Sequence, residues 1–347
     1  MADSRLRARN EGPRTARDIA VEQFAAAHLS GENQDLYADM LVTLCRLARD
    51  GAARGDVKLL HKSLAELRYG LKVFAPYADI RKVSIFGSSR THEDHPDYRA
   101  AEDFARRMCA TGWMVITGAG GGIMRAGHGG AGAEASFGVA IRLPFEQKTN
   151  EIIADDPKLV NYRYFFTRKV TFLRQSSAVA LFPGGFGTQD EGFEALTLVQ
   201  TGKAPLIPIV MCERPGGTYW PHWRTYIERE LLANGMISPE DMHLFRITDD
   251  VQEAVRDIQD FYRVYHSMRY VGEELVLRLS RAVSAETVER LNDEFAGRIL
   301  SAGRITASPA LPAENGELPD LPRLRLCFDR KSYGLLRCLV DRVNQEP

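Results

Sequence analysis

The sequence predicts an α/β fold with a doubly wound, mostly parallel sheet, preceded by helices and followed by a small α+β appendage. From Arg81 onward short β-branched runs recur and end in Gly, Pro or Ser, as in KVSIFGSS, WMVITGAGG, FGVAIRLP and AVALFPGG. Most are followed by a helical stretch, which is the alternation of parallel strands with crossover helices. In such Rossmann-like sheets ligands bind at the carboxyl ends of the strands, where the glycine-rich segments fall.

Helical segments precede the predicted sheet, and a mixed segment follows it. The run DLYADMLVTLCRLARDG places apolar residues three and four positions apart and ends at a glycine, as an amphipathic helix does. We expect 1–15 to be a flexible tail, 16–80 a helical region for packing or oligomerisation, 81–261 the α/β domain and 262–347 the appendage. Within the appendage the predicted order is β-α-β-β-α, without recognisable chemistry.

Composition argues against several classes of function. The net charge of −1 over 347 residues provides no basic field for nucleic acid. Charged residues interrupt every apolar run longer than a strand, so neither a membrane span nor a secretory signal is predicted. The five cysteines are odd in number and form no CxxC pair, which argues against a zinc site or a disulfide framework. We therefore expect a cytoplasmic protein with no nucleic-acid or membrane partner.

The first glycine-rich segment, TGAGGGIMRAGHGGAGAEA, directly follows the predicted strand WMVIT. Backbone without a Cβ approaches an anion closely and points N–H groups at it. We expect the glycines at the strand tip to contact a ligand: Gly118, Gly120, Gly121 and Gly122. The later glycines are expected to let a helix pack closely on the sheet: Gly127, Gly129, Gly130 and Gly132. Their spacing matches a dinucleotide fingerprint, but at a point where a helix should already be running.

The second glycine-rich segment, PGGFGTQDE, allows two interpretations. In the first, Pro183 ends a strand, the glycines allow positive φ and a narrow turn, and Thr188 starts a helix whose free N–H groups attract anions. In the second, Thr188 and Glu191 form a capping box, which stabilises a helix by about 0.5–2 kcal/mol and needs no ligand. The segment by itself leaves both interpretations open.

A third element, YRYFFTRKVTFLRQ, places Arg168 and Lys169 in a mostly apolar helix. Such a pair usually marks a solvated helix face. An anion bound at the second glycine turn would also require cations nearby, because Glu191 would otherwise repel it.

Together these motifs resemble the Lonely Guy family of nucleotide phosphoribohydrolases. The family signature is an RK pair followed by PGGxGTxxE. Here every fixed position of the second motif is filled: Pro183, Gly184, Gly185, Gly187, Thr188 and Glu191. The resemblance runs from about Lys82 to Phe261 and includes FGSSR, LPFEQKTN and ALTLVQTGKAPLIPIV. The first loop departs from the family's GGGPGIME, because Ala119, Gly121 and Arg125 replace a glycine, a proline and a glutamate.

The resemblance implies that 81–261 is a nucleotide-binding catalytic domain, which hydrolyses a nucleoside 5′-monophosphate such as AMP to free base and ribose 5-phosphate. Glu191 would stabilise the ribosyl cation and activate water. Arg168 would orient the substrate, with Lys169 as its weaker neighbour. The phosphate would lie on the amides of the second turn, at Gly184, Gly185, Gly187 and Thr188. Ser88 and Arg90 would contact the ribose or the base.

The resemblance also implies a homo-oligomer, a dimer or higher, that uses no cofactor. The sequence shows no metal-ligand cluster, and we expect no metal. A non-catalytic nucleotide-binding or sensing module is the alternative, because the same glycine turns can hold a nucleotide as a signal. An NAD-linked oxidoreductase is a weaker third interpretation, since the dinucleotide fingerprint is misplaced.

Overall fold

The computed structural model describes residues 15–29, 31–142 and 149–345. The chain divides into two compact units between Ala65 and Glu66. The predicted tail, 1–15, lies outside the described residues except for Thr15. Over the described ranges, no helix combines the length and the apolar character that crossing a membrane requires.

Three helices precede the sheet: α1 (Ala16–His28), α2 (Gln34–Arg49) and α3 (Arg54–Phe74). Thr15 caps α1, because its hydroxyl accepts from the Asp18 N–H at 3.3 Å while its own N–H donates to the Asp18 carboxylate at 2.7 Å. The apolar stripe expected from the sequence lies on α2, where Leu36, Met40 and Leu44 are exposed.

The second unit is built on a sheet of seven strands. Their bounds are β1 (Lys82–Phe86), β2 (Met114–Thr117), β3 (Ser136–Ile141), β4 (Leu159–Tyr162), β5 (Ala178–Leu181), β6 (Ile209–Cys212) and β7 (Arg246–Thr248). Every neighbouring pair is parallel, in the order β4-β3-β2-β1-β5-β6-β7. The predicted doubly wound, parallel sheet is therefore confirmed.

Helices cover both faces of this sheet. The crossover helices are α4 (Pro96–Ala110), α5 (Ile123–Ala131), α6 (Phe165–Gln175), α7 (Phe186–Gln200), α8 (Tyr219–Tyr226) and α9 (Val251–Phe261). Strands β1, β2, β5 and β6 are buried along their whole length, as expected for parallel strands covered on both sides.

Two of the later glycines show why α5 carries so many. A Cβ on Gly127 would lie 3.1 Å from the Thr117 side chain on the sheet, which agrees with the expected packing role. A Cβ on Gly130 would lie 2.0 Å from the Glu102 carbonyl oxygen, so this glycine serves the contact with α4 rather than the contact with the sheet.

The order of the strands reverses beside β1. The chain fills one side with β2, β3 and β4, and then returns to place β5 against the other side of β1. The loops that follow β1 and β5 therefore diverge and open a crevice at the carboxyl edge of the sheet. The Ser88 N–H donates to the Pro183 carbonyl at 3.1 Å and fixes the distance between these two loops.

The C-terminal appendage is an antiparallel four-stranded sheet with two α-helices of seven residues or more. Its elements are β8 (Tyr265–Val271), β9 (Glu274–Leu279), α10 (Ala285–Leu291), β10 (Leu300–Ser308), β11 (Arg323–Phe328) and α11 (Tyr333–Gln345). The predicted order lacked β8, whose sequence YHSMRYV is half polar. The missed signal was a two-residue hairpin, in which Gly272 has φ of +61° and Val271 pairs with Glu274.

Candidate active site

A cleft of about 640 Å³ lies at the crevice between β1 and β5. Most of the residues predicted for the site line it: Ser88, Arg90, Gly118, Gly120, Arg168, Gly185, Gly187, Thr188 and Glu191. The other predicted residues are not among its lining residues: Gly121, Gly122, Lys169 and Gly184. The structure thus brings together the three sequence motifs that follow β1, β2 and β5, with α6 alongside them.

The turn after β5 differs from its prediction in where the helix begins. Helix α7 starts at Phe186 with Gly185 as its N-cap, two positions before the predicted start at Thr188. The Thr188 N–H donates to the Gly185 carbonyl at 3.0 Å. Because the first amides of a helix lack partners within it, the N–H groups of Phe186 and Gly187 are the ones left for an anion.

Of the glycines of this turn, Gly184 is needed for space rather than for backbone conformation. The turn does not use the positive φ that glycine allows, because Gly184, Gly185 and Gly187 all lie outside the left-handed region. A Cβ on Gly184 would lie 2.1 Å from the Thr188 hydroxyl and 2.8 Å from the Ser88 nitrogen. A Cβ on Gly185 or Gly187 would meet nothing within 4 Å, so these two glycines border open space in the cleft.

Glu191 does not form the capping box that the sequence left open. With the N-cap at Gly185, Thr188 lies inside the helix and makes no side-chain capping bond. Glu191 is 6% exposed, and its Oε2 has no hydrogen-bond partner among the residues that the structure describes. Burial raises the pKa of this carboxyl above its usual value, and the charges of Lys169 and Arg168 oppose that rise only in part.

Lys169 does not line the cleft and forms ion pairs with three acidic side chains, one of which is Glu191. Its Nζ is 2.6 Å from Glu194, 3.0 Å from Asp190 and 3.5 Å from the Oε2 of Glu191. Burial by itself lowers the pKa of Lys169, but the hydrogen bond to Glu194 and the neighbouring negative charges raise it above its usual value. Lys169 therefore remains a cation, and the solvated-face interpretation of the RK pair is wrong for this residue.

Arg168 lies in the floor of the cleft. Its Nε donates to the Val139 carbonyl at 2.9 Å, which anchors the guanidinium to β3. A Cβ on Gly118 would lie only 2.5 Å from Nη2 of Arg168, so a glycine is required there to make room for this side chain. Burial lowers the pKa of Arg168, and the negative charge of Glu191 opposes that shift. An arginine nevertheless stays charged at any physiological pH.

The first glycine loop meets the cleft through Gly118, Ala119 and Gly120. Gly122 is the N-cap of α5, with φ of +59°, and a Cβ there would lie 2.2 Å from the Ser88 carbonyl oxygen. It therefore packs against the loop after β1. Arg125, which replaces the family's glutamate, is outside the cleft lining and binds Glu151 at 2.6 Å and the Tyr98 hydroxyl at 2.9 Å.

Sequence reasoning missed several lining residues. Two exposed phenylalanines, Phe165 and Phe186, begin α6 and α7 at the rim, and Phe186 is 96% exposed. Met124, Ala140 and Ile141 form an apolar wall. Thr149 also lines the cleft and belongs to the quoted motif LPFEQKTN, whose first six residues, 143–148, lie outside the described ranges. That motif was the available signal for this part of the site.

Comparison with known proteins gives a family model, a curated relative and solved structures that are similar to parts of this chain. Residues 121–258 match a family model described as "Possible lysine decarboxylase". The cytokinin riboside 5′-monophosphate phosphoribohydrolase of Mycobacterium tuberculosis is 28% identical over 161 residues, which are 45% of this chain and 82% of that protein. The resemblance to the Lonely Guy family is confirmed. The matched region contains Arg168, Lys169 and the whole of the turn 183–191.

Solved structures resemble about half of the chain. The structural genomics target TM1055 is 22% identical, with a TM-score of 0.39, over 52% of this chain and 99% of its own. The molybdenum cofactor carrier protein of Chlamydomonas reinhardtii is 17% identical, with a TM-score of 0.36, over 52% of this chain and 96% of its own. The predicted oligomeric state and cytoplasmic location stay predictions.

Proposed function

We propose that this chain hydrolyses the N-glycosidic bond of a nucleoside 5′-monophosphate, giving the free base and ribose 5-phosphate. The observation that carries the proposal is the Glu191 carboxylate. It is buried in the wall of the cleft, with Oε2 free of hydrogen bonds from any described residue. The relative from Mycobacterium tuberculosis supports the proposal, since its name states this class of reaction.

The 5′-phosphate is proposed to lie at the start of α7. The Phe186 and Gly187 amides are available there, and the positive end of the helix dipole favours an anion. Gly185 and Gly187 border open space, so a phosphate can approach the backbone closely. The Thr188 side chain lines the same end of the cleft and adds a hydroxyl donor.

The sugar is proposed to lie over Glu191, one helical turn further along α7. As the base departs with the electron pair of the C1′–N bond, positive charge develops on the ribose, and the carboxylate stabilises it. A water molecule then bonds to C1′ and passes a proton to Glu191, and the departed base takes up a proton in return, so that the neutral base and ribose 5-phosphate are released and Glu191 is ionised again. A carboxylate whose pKa is raised by burial is a better proton acceptor than an ordinary one, because its pKa lies closer to neutrality.

Arg168 and the apolar wall are proposed to orient the two remaining parts of the substrate. Arg168 is a fixed cation beside Glu191, which offsets the repulsion between this carboxylate and an anionic ligand. The base would lie against Met124, Ile141 and Phe165, because a planar ring gains from contact with apolar and aromatic side chains. Ser88 and Arg90 remain proposed contacts to the ribose or the base, at the tip of β1.

Product identification tests this function directly. The full chain is incubated with AMP, GMP, CMP and UMP in turn, and the products are separated by chromatography. We expect free base and ribose 5-phosphate in equal amounts from at least one of the four. Tight binding of a mononucleotide without release of base would contradict the proposal and favour the sensing module.

A further inference from the structure

One buried residue, Asn150, binds the turn between β2 and α5 through both its backbone and its side chain. The Asn150 backbone N–H donates to the Ala119 carbonyl at 2.9 Å. Its side-chain Nδ2 donates to the next carbonyl, that of Gly120, also at 2.9 Å. Asn150 is buried, so these bonds are shielded from water. One residue therefore fixes two consecutive peptide groups of the turn that borders the cleft.

His128 fixes which way the Asn150 amide points. The Nε2 of His128 lies 3.1 Å from the Phe137 carbonyl, which can only accept, so Nε2 carries the proton. Burial lowers the pKa of His128, and a neutral ring then has a bare Nδ1. That atom lies 3.1 Å from the Nδ2 of Asn150 and accepts from it. Both hydrogens of the Asn150 amide are thus used, one by Gly120 and one by His128.

Thr117 holds the same turn from the strand side. Its hydroxyl oxygen accepts the Ala119 N–H at 3.0 Å and lies 3.0 Å from the Nε2 of His128. Ala119 has φ of +62°, in the left-handed region that residues with a Cβ avoid. The bonds from Thr117 and Asn150 occupy both its N–H and its carbonyl, so this backbone conformation is specified by its surroundings.

The direction of these carbonyls decides where the next amides point. A trans peptide group is planar, with its N–H opposite to its carbonyl. Because the carbonyls of Ala119 and Gly120 face Asn150, the N–H groups of Gly120 and Gly121 face away from it. Gly120 itself lines the cleft. Two consecutive N–H groups turned the same way form a concave donor pair for an oxygen that bears negative charge.

We propose that Asn150 is a positioning residue, which aims the Gly120 and Gly121 amides at an acceptor oxygen of the bound nucleotide. The inference rests on the proposed function for the identity of the ligand. It assigns the first glycine turn to ground-state binding of the substrate, in addition to the phosphate site proposed on α7.

The test separates this role from mere support of the fold. Asn150→Asp keeps the size of the side chain but removes the Nδ2 donor, and Asn150→Ala removes the side chain altogether. We expect either change to raise KM by about 10- to 100-fold with kcat nearly unchanged, because the lost contacts stabilise substrate and transition state alike. In a Glu191→Gln background, the Kd for AMP measured by calorimetry should rise by the same factor.

Asn292 offers a matched control in the same chain. It is also buried, and it bridges the N–H and the carbonyl of Ile305 at 2.8 and 2.9 Å, far along the sequence from the cleft residues. Asn292→Ala should lower the melting temperature about as much as Asn150→Ala while leaving KM unchanged. Thr117→Val is the second test variant, and Thr117→Ser, which retains the hydroxyl, should restore the KM that Thr117→Val loses.

Each outcome bears on the proposal. Equal KM shifts in the Asn150 and Asn292 variants would overturn the proposal. If the Asn150 variants fail to fold, the Thr117→Val protein decides instead, and an unchanged KM in that protein would overturn the proposal. If the wild-type chain releases no base from any of the four nucleotides, the proposed function fails on its own. The affinity for AMP then decides the role of Asn150. Equal Kd values for wild type and Asn150→Asp would overturn the positioning role, and so would the absence of any AMP binding.

Discussion

Two buried glutamates in this chain differ in how their carboxylates are satisfied. Glu191 on α7 is 6% exposed, and Glu314, in the loop before β11, is 2% exposed. Glu314 accepts from Arg278 Nε at 2.9 Å and from Arg323 Nε at 3.0 Å. It also accepts from the Leu311 N–H at 3.0 Å. Over the described residues, Glu191 has no such bond to its Oε2.

The contrast separates a structural carboxylate from a candidate catalytic one. Burial alone would raise the pKa of Glu314, but hydrogen bonds from Arg323, Leu311 and Arg278 lower it to about 2. The pKa of Glu191 moves the other way, because burial outweighs its two cationic neighbours. Equal burial therefore does not imply an equal role, and the carboxylate that lines a cleft and has a raised pKa is the candidate for chemistry.

The largest expected effect is the loss of turnover in Glu191→Gln. Glutamine has the same shape but cannot accept a proton from water or stabilise a ribosyl cation. We expect kcat to fall by a factor on the order of 10²–10⁴, measured as base released per minute. The melting temperature should not decrease, since no hydrogen bond to Oε2 is lost.

Glu194 provides the matched control for this change. It also binds Lys169, at 2.6 Å, but it is not among the residues that line the cleft. Glu194→Gln should keep turnover within a factor of about three, because it alters the charge near Lys169 without touching the substrate. Near-normal turnover in a folded Glu191→Gln protein would remove Glu191 from the chemistry.

The second largest expected effect is a loss of stability in Glu314→Gln. Glu314→Gln leaves Arg323 buried without a counter-charge and leaves Arg278 with only the more exposed Glu317, so the free energy of unfolding should fall by about 3–5 kcal/mol in urea titrations. Turnover per folded molecule should stay at the wild-type value. Glu317→Gln is the control, because Glu317 also binds Arg278, at 2.9 Å, but its side chain is largely exposed, and its loss should cost about 1 kcal/mol or less. A Glu314→Gln protein as stable as Glu317→Gln would contradict the structural role.

Sequence reasoning predicted the sheet and much of the site because both depend on local signals. Glycine and proline mark the strand ends, and parallel strands bring those ends to one edge. The start of α7 was wrong because its N-cap, Gly185, has no side chain to signal a cap, whereas Thr188 matched the usual pattern. Asn150 was missed because its bonds reach residues 22 and 30 positions away, and only tertiary packing decides such pairs.

The smallest expected effect is the dependence of the free energy of unfolding on pH. It also distinguishes the two glutamates most directly, because they should change it in opposite directions. The pKa of Glu314 is lower in the folded chain than its usual value of 4.5, so its stabilising contribution is present above pH 4.5 and is lost as the pH falls towards 2. The pKa of Glu191 is higher in the folded chain than 4.5. Ionising it therefore costs stability, and that cost appears as the pH rises above 4.5.

Both contributions can be measured by unfolding titrations at several pH values between 3 and 7. The proteins compared are wild type, Glu191→Gln and Glu314→Gln, and the quantity is the slope of the free energy of unfolding against pH. The stability that wild type has over Glu314→Gln should shrink as the pH falls, because the wild-type carboxylate takes up a proton and the glutamine does not. The stability of Glu191→Gln relative to wild type should instead grow as the pH rises, because only wild type must bury a charge. Parallel slopes would mean that both carboxylates are satisfied alike, and the lack of a hydrogen bond to the Oε2 of Glu191 among the described residues would then no longer single it out as the proton acceptor.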